Sequence, residues 1–147
     1  MKFLKLILAG ILMIIFSLTA QAQKKKTYYN VDDTPEQISA YAAEHFSDHK
    51  IIYTKKKSKA HKTKYKTRLD HHIKLEFDEN FQIKEIDSKD GLPSSVIPQK
   101  IADYAREHYP NHKIIEWERK KDGRQEIELD NKLELIFDQE GNFLKID

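Results

Sequence analysis

The chain of 147 residues contains no cysteine, so disulfides, thiolate nucleophiles, cysteine-based zinc sites and a lipid-anchored N-terminal cysteine are all excluded. Four glycines and four prolines leave no room for a glycine-rich phosphate loop. Serines are few, and none stands in a Gly-x-Ser-x-Gly elbow. No spacing fixes two acids as a catalytic pair, and Asp78 and Asp138, each after a Phe, read as turn residues closing a strand. Catalysis is therefore not expected, and no cofactor is called for. Against these absences stand 39% hydrophobic, 34% charged and 10% aromatic residues, with a mean hydropathy of −0.75. That balance describes a folded, surface-rich domain rather than a disordered chain.

One apolar run exists. Lys2 and Lys5 precede an uncharged stretch from Leu6 to Leu18, and Thr19-Ala20-Gln21-Ala22 ends in the A-x-A pattern of a signal-peptidase site. The run is short of the ~20 residues that span a bilayer. Residues 1–22 are thus expected to be a cleaved signal peptide, leaving a periplasmic or secreted bacterial protein with no transmembrane segment. Lys2 and Lys5 leave with it, so the 26 basic residues fall to 24 against 24 acidic ones. A processed chain without excess positive charge gives no support to specific nucleic-acid binding.

The most informative feature is an internal repeat. Residues 35–52 and 98–115 align at an offset of 63 with ten of eighteen positions identical, including Pro35/Pro98, Ile38/Ile101, Tyr41/Tyr104, His45/His108 and His49/His112. Further on, Leu69-Asp70, Leu75, Phe77-Asp78 and Ile86-Asp87 match Leu129-Asp130, Leu135, Phe137-Asp138 and Ile146-Asp147 at an offset of 60. In each unit a proline opens a helix-spaced apolar series: Ile38, Tyr41, Ala42 and Phe46, then Ile101, Tyr104, Ala105 and Tyr109. Alternating strand patterns follow, near 50–56, 63–69, 72–77 and 81–87 in the first unit. In the second they are punctuated by Asp122-Gly123, Asp130-Asn131 and Glu140-Gly141. The expected organisation is a lead-in over 23–33, flexible or else adding its tyrosines Tyr28 and Tyr29 to the sheet, and two units, 34–90 and 91–147. Each has one helix and about four antiparallel strands. A unit of about 60 residues buries a marginal core alone. The pair is expected to form one α+β sheet with both helices on one face and the other face free.

The stretch Leu92-Pro93, an amphipathic helix, Tyr109-Pro110, Lys113-Ile114-Ile115-Glu116, Ile127-Glu128-Leu129, Leu133–Asp138 and Gly141-Asn142-Phe143 resembles the PepSY-like family, described as β-lactamase-inhibitor-like. The resemblance covers most of 92–147 and, more loosely, 31–87. The first unit carries Ser47 in place of Pro110, Phe81 in place of Gly141, and no Leu-Pro opening. The resemblance implies a tandem helix-plus-four-strand fold like that of the β-lactamase inhibitor protein. It also implies export, typically from Bacteroidota-like bacteria, and no agreed enzymatic activity. Inhibition is an analogy from fold, and fold alone does not carry function.

Candidate binding residues are Lys55, Lys56, Lys57, Lys59, Lys62, Lys64, Tyr65 and Trp117. Lys55 to Arg68 holds eight basic residues and no acid. It reads as an electrostatic patch for an anionic partner, or as a solvated hairpin whose lysines deter edge pairing. The matching stretch of the second unit mixes Arg119, Lys120, Lys121 and Arg124 with Glu118, Asp122, Glu126 and Glu128. Residues 23–90 carry net +3 and 91–147 net −3. Trp117 has apolar neighbours on both strand faces, and the balance favours the core. The pairs His45/His49 and His108/His112 have metal-like i, i+4 spacing, and His71 and His72 add an adjacent pair. The second member of each i, i+4 pair lies past its helix end, so no metal is expected there. The sequence reading is a non-catalytic exported binding protein. It would take a protein partner on the free sheet face, with inhibition as one form, or else an anionic ligand on the lysine-rich hairpin.

Overall fold

The computed structural model describes residues 25–59 and 62–147. The signal-peptide expectation for 1–22 lies outside the described residues, as do Ala60 and His61. The elements are β1 (Lys25–Tyr29), α1 (Glu36–His45), β2 (Ile51–Lys59), β3 (Lys62–Leu69), β4 (Lys74–Asp78), β5 (Ile83–Asp87), α2 (Gln99–His108), β6 (Ile114–Arg119), β7 (Gln125–Leu129), β8 (Glu134–Phe137) and β9 (Phe143–Ile146). The nine strands form one antiparallel sheet in chain order.

The helices begin where the prolines dictate. Pro35 and Pro98 stand just before the first helical residue and accept backbone hydrogen bonds from Ile38 and Ile101 at 2.9 Å. Neither helix has a side-chain cap. Thr34 instead joins a buried hydroxyl chain, donating to Thr54 Oγ1 at 3.2 Å, with Thr67 Oγ1 3.0 Å beyond. Three hydroxyls satisfied this way can be buried without the cost of an unpaired polar group.

The core lies on one face of the sheet. Leu75, Ile86, Trp117, Ile127 and Leu135 form a cross-strand row, and all are at most 1% exposed. Phe77 and Phe137 stand two residues further along the same face. They take the edges of Tyr41 of α1 and Tyr104 of α2, each at 5.5 Å. Both helices therefore cover the same face, and the core passes unbroken through the β5–β6 pairing.

Two expectations change, the flexible form of the lead-in and the binding role of two aromatics, while the favoured core placement of Trp117 holds. Residues 25–29, read as part of a flexible lead-in, pair along β2 from Lys25↔Ser58 to Tyr29↔Thr54. Tyr29 packs against the core there. Trp117 and Tyr65, named as candidate binding residues, are 1% and 7% exposed on the helix-covered side. The Trp117 indole N–H donates to Gln125 Oε1 at 3.1 Å, and the Gln125 amide donates to the Gln139 carbonyl at 3.2 Å. The buried amide gives the indole the polar partner it requires, so Trp117 serves the core and not a surface.

Candidate functional site

The uncovered sheet face is built by strand alternation. Every second residue of each strand points away from the helices, and register then lines these residues into rows. One row runs Lys55, Lys66, Glu76, Glu85, Glu118, Glu126, Ile136, Lys145 from β2 to β9. The next runs Arg68, Lys74, Asp87, Glu116, Glu128, Glu134 from β3 to β8. Both rows change sign near the middle of the sheet. The face is basic over β2 and β3 and acidic from β5 to β8.

Of the six lysines singled out in sequence, Lys55, Lys57, Lys59, Lys62 and Lys64 share this open face. Lys56 stands on the other side, opposite Tyr65, with its ammonium 5.7 Å from that ring's centroid. The basic patch is also partly neutralised, which the local sequence did not indicate. Glu76 of β4 accepts from Lys64 and Lys66 at 2.5 Å each, and Lys74 pairs with Asp87 at 2.5 Å. Burial pushes the Glu76 carboxyl up, but the hydrogen bonds from Lys64 and Lys66 outweigh it and hold the group below its usual range.

The acidic half behaves in the opposite way. Glu116 faces Asp87 on one side and Glu128 on the other. Burial, and then the charges of Glu85, Asp87, Glu128 and Glu118, push its carboxyl up to about 7. Glu85 is raised for the same reasons, burial first and Glu76 next. Like charges opposite one another in a ladder are destabilising, so stability alone does not account for this arrangement. Lys120 tempers the edge of the acidic zone, reaching Glu118 at 2.6 Å and Glu126 at 3.0 Å. Between the β2–β3 and β6–β7 hairpins the open face is hollowed into a groove of about 1180 Å³. Lys57, Lys64, Glu76, Glu118, Lys120 and Glu126 are among its lining residues, so it offers both signs.

On the helix side a cleft of about 700 Å³ separates the two units and is lined in part by His45, His49, His71 and His112. The i, i+4 histidines do not act as pairs. His45 packs on Tyr41 and lies 3.3 Å from Ser95 Oγ, while His49 turns to Asp70 at 2.8 Å. Among the described residues, one group of three or more metal-capable side chains converges: His49, Asp70 and His71, with ligand atoms within 4.8 Å of one another. Sequence reasoning paired the histidines along the helix and missed this set, because Asp70 and His71 come from a distant turn.

A family profile described as β-lactamase-inhibitor-like, PepSY-like matches residues 20–85 and 65–145, most of the chain. The chain belongs to the PepSY-like family. The two matched regions agree with the duplication read from sequence. Several solved structures are similar to the chain over most of its length. One is described as a calcium-regulated periplasmic protein of Bacteroides thetaiotaomicron, with 31% identity and a TM-score of 0.77 over 83% of this chain and 96% of that one. A second, described as a periplasmic protein of unknown function from Bacteroides vulgatus, has 35% identity and a TM-score of 0.75 over 84% of this chain and 99% of that one. A third, also described as periplasmic and from Bacteroides vulgatus, has 27% identity and a TM-score of 0.76 over 84% and 97%. No curated protein matches the chain. The neighbours support a periplasmic location for this family member.

Proposed function

We propose that this chain is an exported, non-catalytic binding protein that takes a protein partner on its open sheet face, in the manner of an inhibitor. The observation that carries the reading is the sign change across the uncovered face, together with the groove that crosses it. A surface with a basic and an acidic half selects a partner of matching bipolar charge in one orientation, because the reversed pose sets like charges together. The family description and the periplasmic neighbours support an exported protein-binding role. The anionic-ligand reading is favoured by the like-charge pairs Lys55↔Lys66, Lys57↔Lys64 and Lys59↔Lys62 of the β2–β3 hairpin. It is weakened by the Glu76 bridges, which spend two of the patch's charges internally.

The test is a crosslinking capture from periplasmic extract with residues 23–147 as bait. Two variants run in parallel: Lys55, Lys62 and Lys64 to Gln, and Glu118, Glu126 and Glu128 to Gln. The expected outcome is one discrete protein, captured less by both variants and less at raised salt. Loss with the lysine variant alone, with polyanion binding in its place, would move the function to the hairpin. Undiminished capture by both variants would remove the open face from the function.

A further inference from the structure

We propose that His49, Asp70 and His71 form a binding site for a first-row transition-metal cation of the zinc(II) class. The donor set is two imidazoles and a carboxylate, which suits zinc, nickel or copper. It does not suit calcium, which takes six to eight oxygens. Three features place the donors. The Asp70 backbone N–H donates to the Lys50 carbonyl at 3.0 Å, tying the β3–β4 turn to the chain leaving α1. His49 Nδ1 lies 2.8 Å from Asp70 Oδ1. The His49 and His71 rings meet edge to face with centroids 5.3 Å apart. Two imidazoles on one tetrahedral ion, at Zn–N distances of about 2.0–2.1 Å, have centroids roughly 5 Å apart. The three ligand atoms already lie within 4.8 Å of one another, so modest side-chain rotation closes the set around an ion.

The second unit supplies an internal reference. There His112 Nδ1 lies 2.7 Å from Asp130 Oδ1, and the Asp130 N–H donates to the Lys113 carbonyl at 2.9 Å. The hydrogen-bonded His–Asp pair is thus common to both units and is a structural tie. The position of His71 is held by Asn131, whose amide nitrogen lies 3.3 Å from His112 Nε2. The third donor is what distinguishes the first unit. The backbone differs with it: His71 and His72 both adopt left-handed conformations, at φ 47° and 65°, whereas this turn of the second unit has one such residue, Lys132. Two successive non-glycine residues in that region carry a conformational cost, which persists where surrounding structure or function maintains it. The set borders the cleft between the units, which leaves a fourth coordination position open to water or to a ligand held there.

The experiment uses residues 23–147, which include every described residue, made without a histidine tag. Zinc is titrated by calorimetry, and cobalt(II) is followed by its visible absorption. We expect one saturable zinc site and tetrahedral-type cobalt bands. His71→Asn installs the residue of the second unit, and asparagine tolerates the left-handed backbone. It is expected to weaken zinc binding at least tenfold with an unchanged circular dichroism melt. His112→Asn is expected to leave zinc affinity unchanged, and calcium to give no competition. Absence of saturable binding, wild-type affinity in His71→Asn, or equal losses in both variants would each overturn the assignment.

Discussion

At the scale of single residues, Glu116 shows how position overrides chemistry. The side chain is an ordinary glutamate on an ordinary strand, yet burial and four neighbouring carboxylates raise it to about 7 from 4.5. The folded chain therefore holds this proton more tightly than the unfolded chain does. The contribution of Glu116 to stability is most favourable below pH 4.5, falls as the pH rises from 4.5 to 7, and stays at its lowest above that. Replacing Glu116 with Gln should stabilise the fold at pH 8 by on the order of 1 kcal/mol after allowance for solvent screening, and change little at pH 4. Urea unfolding at the two pH values measures the difference, and an equal effect at both would contradict burial and carboxylate repulsion as its cause. Phe81 is a second case. It holds φ 60° where the second unit has Gly141 at φ 80°, and its ring stacks on Tyr65 at 4.9 Å. Aligning the two units reveals the exchange, and only packing shows what offsets the strained backbone.

At the scale of elements, most of the fold was legible. The two helices, read from Ile38, Tyr41, Ala42 and from Ile101, Tyr104, Ala105, stand at 36–45 and 99–108. The strands of the first unit fall within a few residues of the alternation. What the alternation did not mark is β1. Its segment, Lys-Lys-Thr-Tyr-Tyr, has no apolar period of its own and becomes a strand by pairing with the edge of β2. Beginning the chain at Thr34 should therefore uncover that edge. We expect a melting temperature lower by several degrees and concentration-dependent self-association in sedimentation, since an unpaired edge is a template for another chain. An unchanged melt and a monomer at all concentrations would mean that β1 contributes nothing to stability.

At the scale of the whole molecule, the β5–β6 pairing is the seam on which both core and charge depend. Ile86↔Trp117 carries the apolar row across it, and Glu85↔Glu118 and Asp87↔Glu116 carry the acidic rows on the opposite side. Since the core is one cluster, the chain should unfold in a single cooperative transition. Fluorescence of Trp117, the one tryptophan of the chain, and far-ultraviolet circular dichroism should then give the same denaturant midpoint. Separate midpoints would show that each unit holds its own core.

Amino-acid order alone determined the duplication, the helix-then-strands grammar of each unit, the α+β class and the lack of catalytic motifs. These are local or periodic properties, written along the chain at spacings of two, three or four residues and at the repeat offset. It also recorded opposite net charges in the two halves, though not where those charges stand. Only the tertiary structure decided that they share one uncovered face and meet in a groove. It likewise decided that Trp117 is sealed against Gln125, and that His49 meets His71 across a turn. Each of these depends on strand register and on the packing of distant segments, which a one-dimensional pattern does not encode.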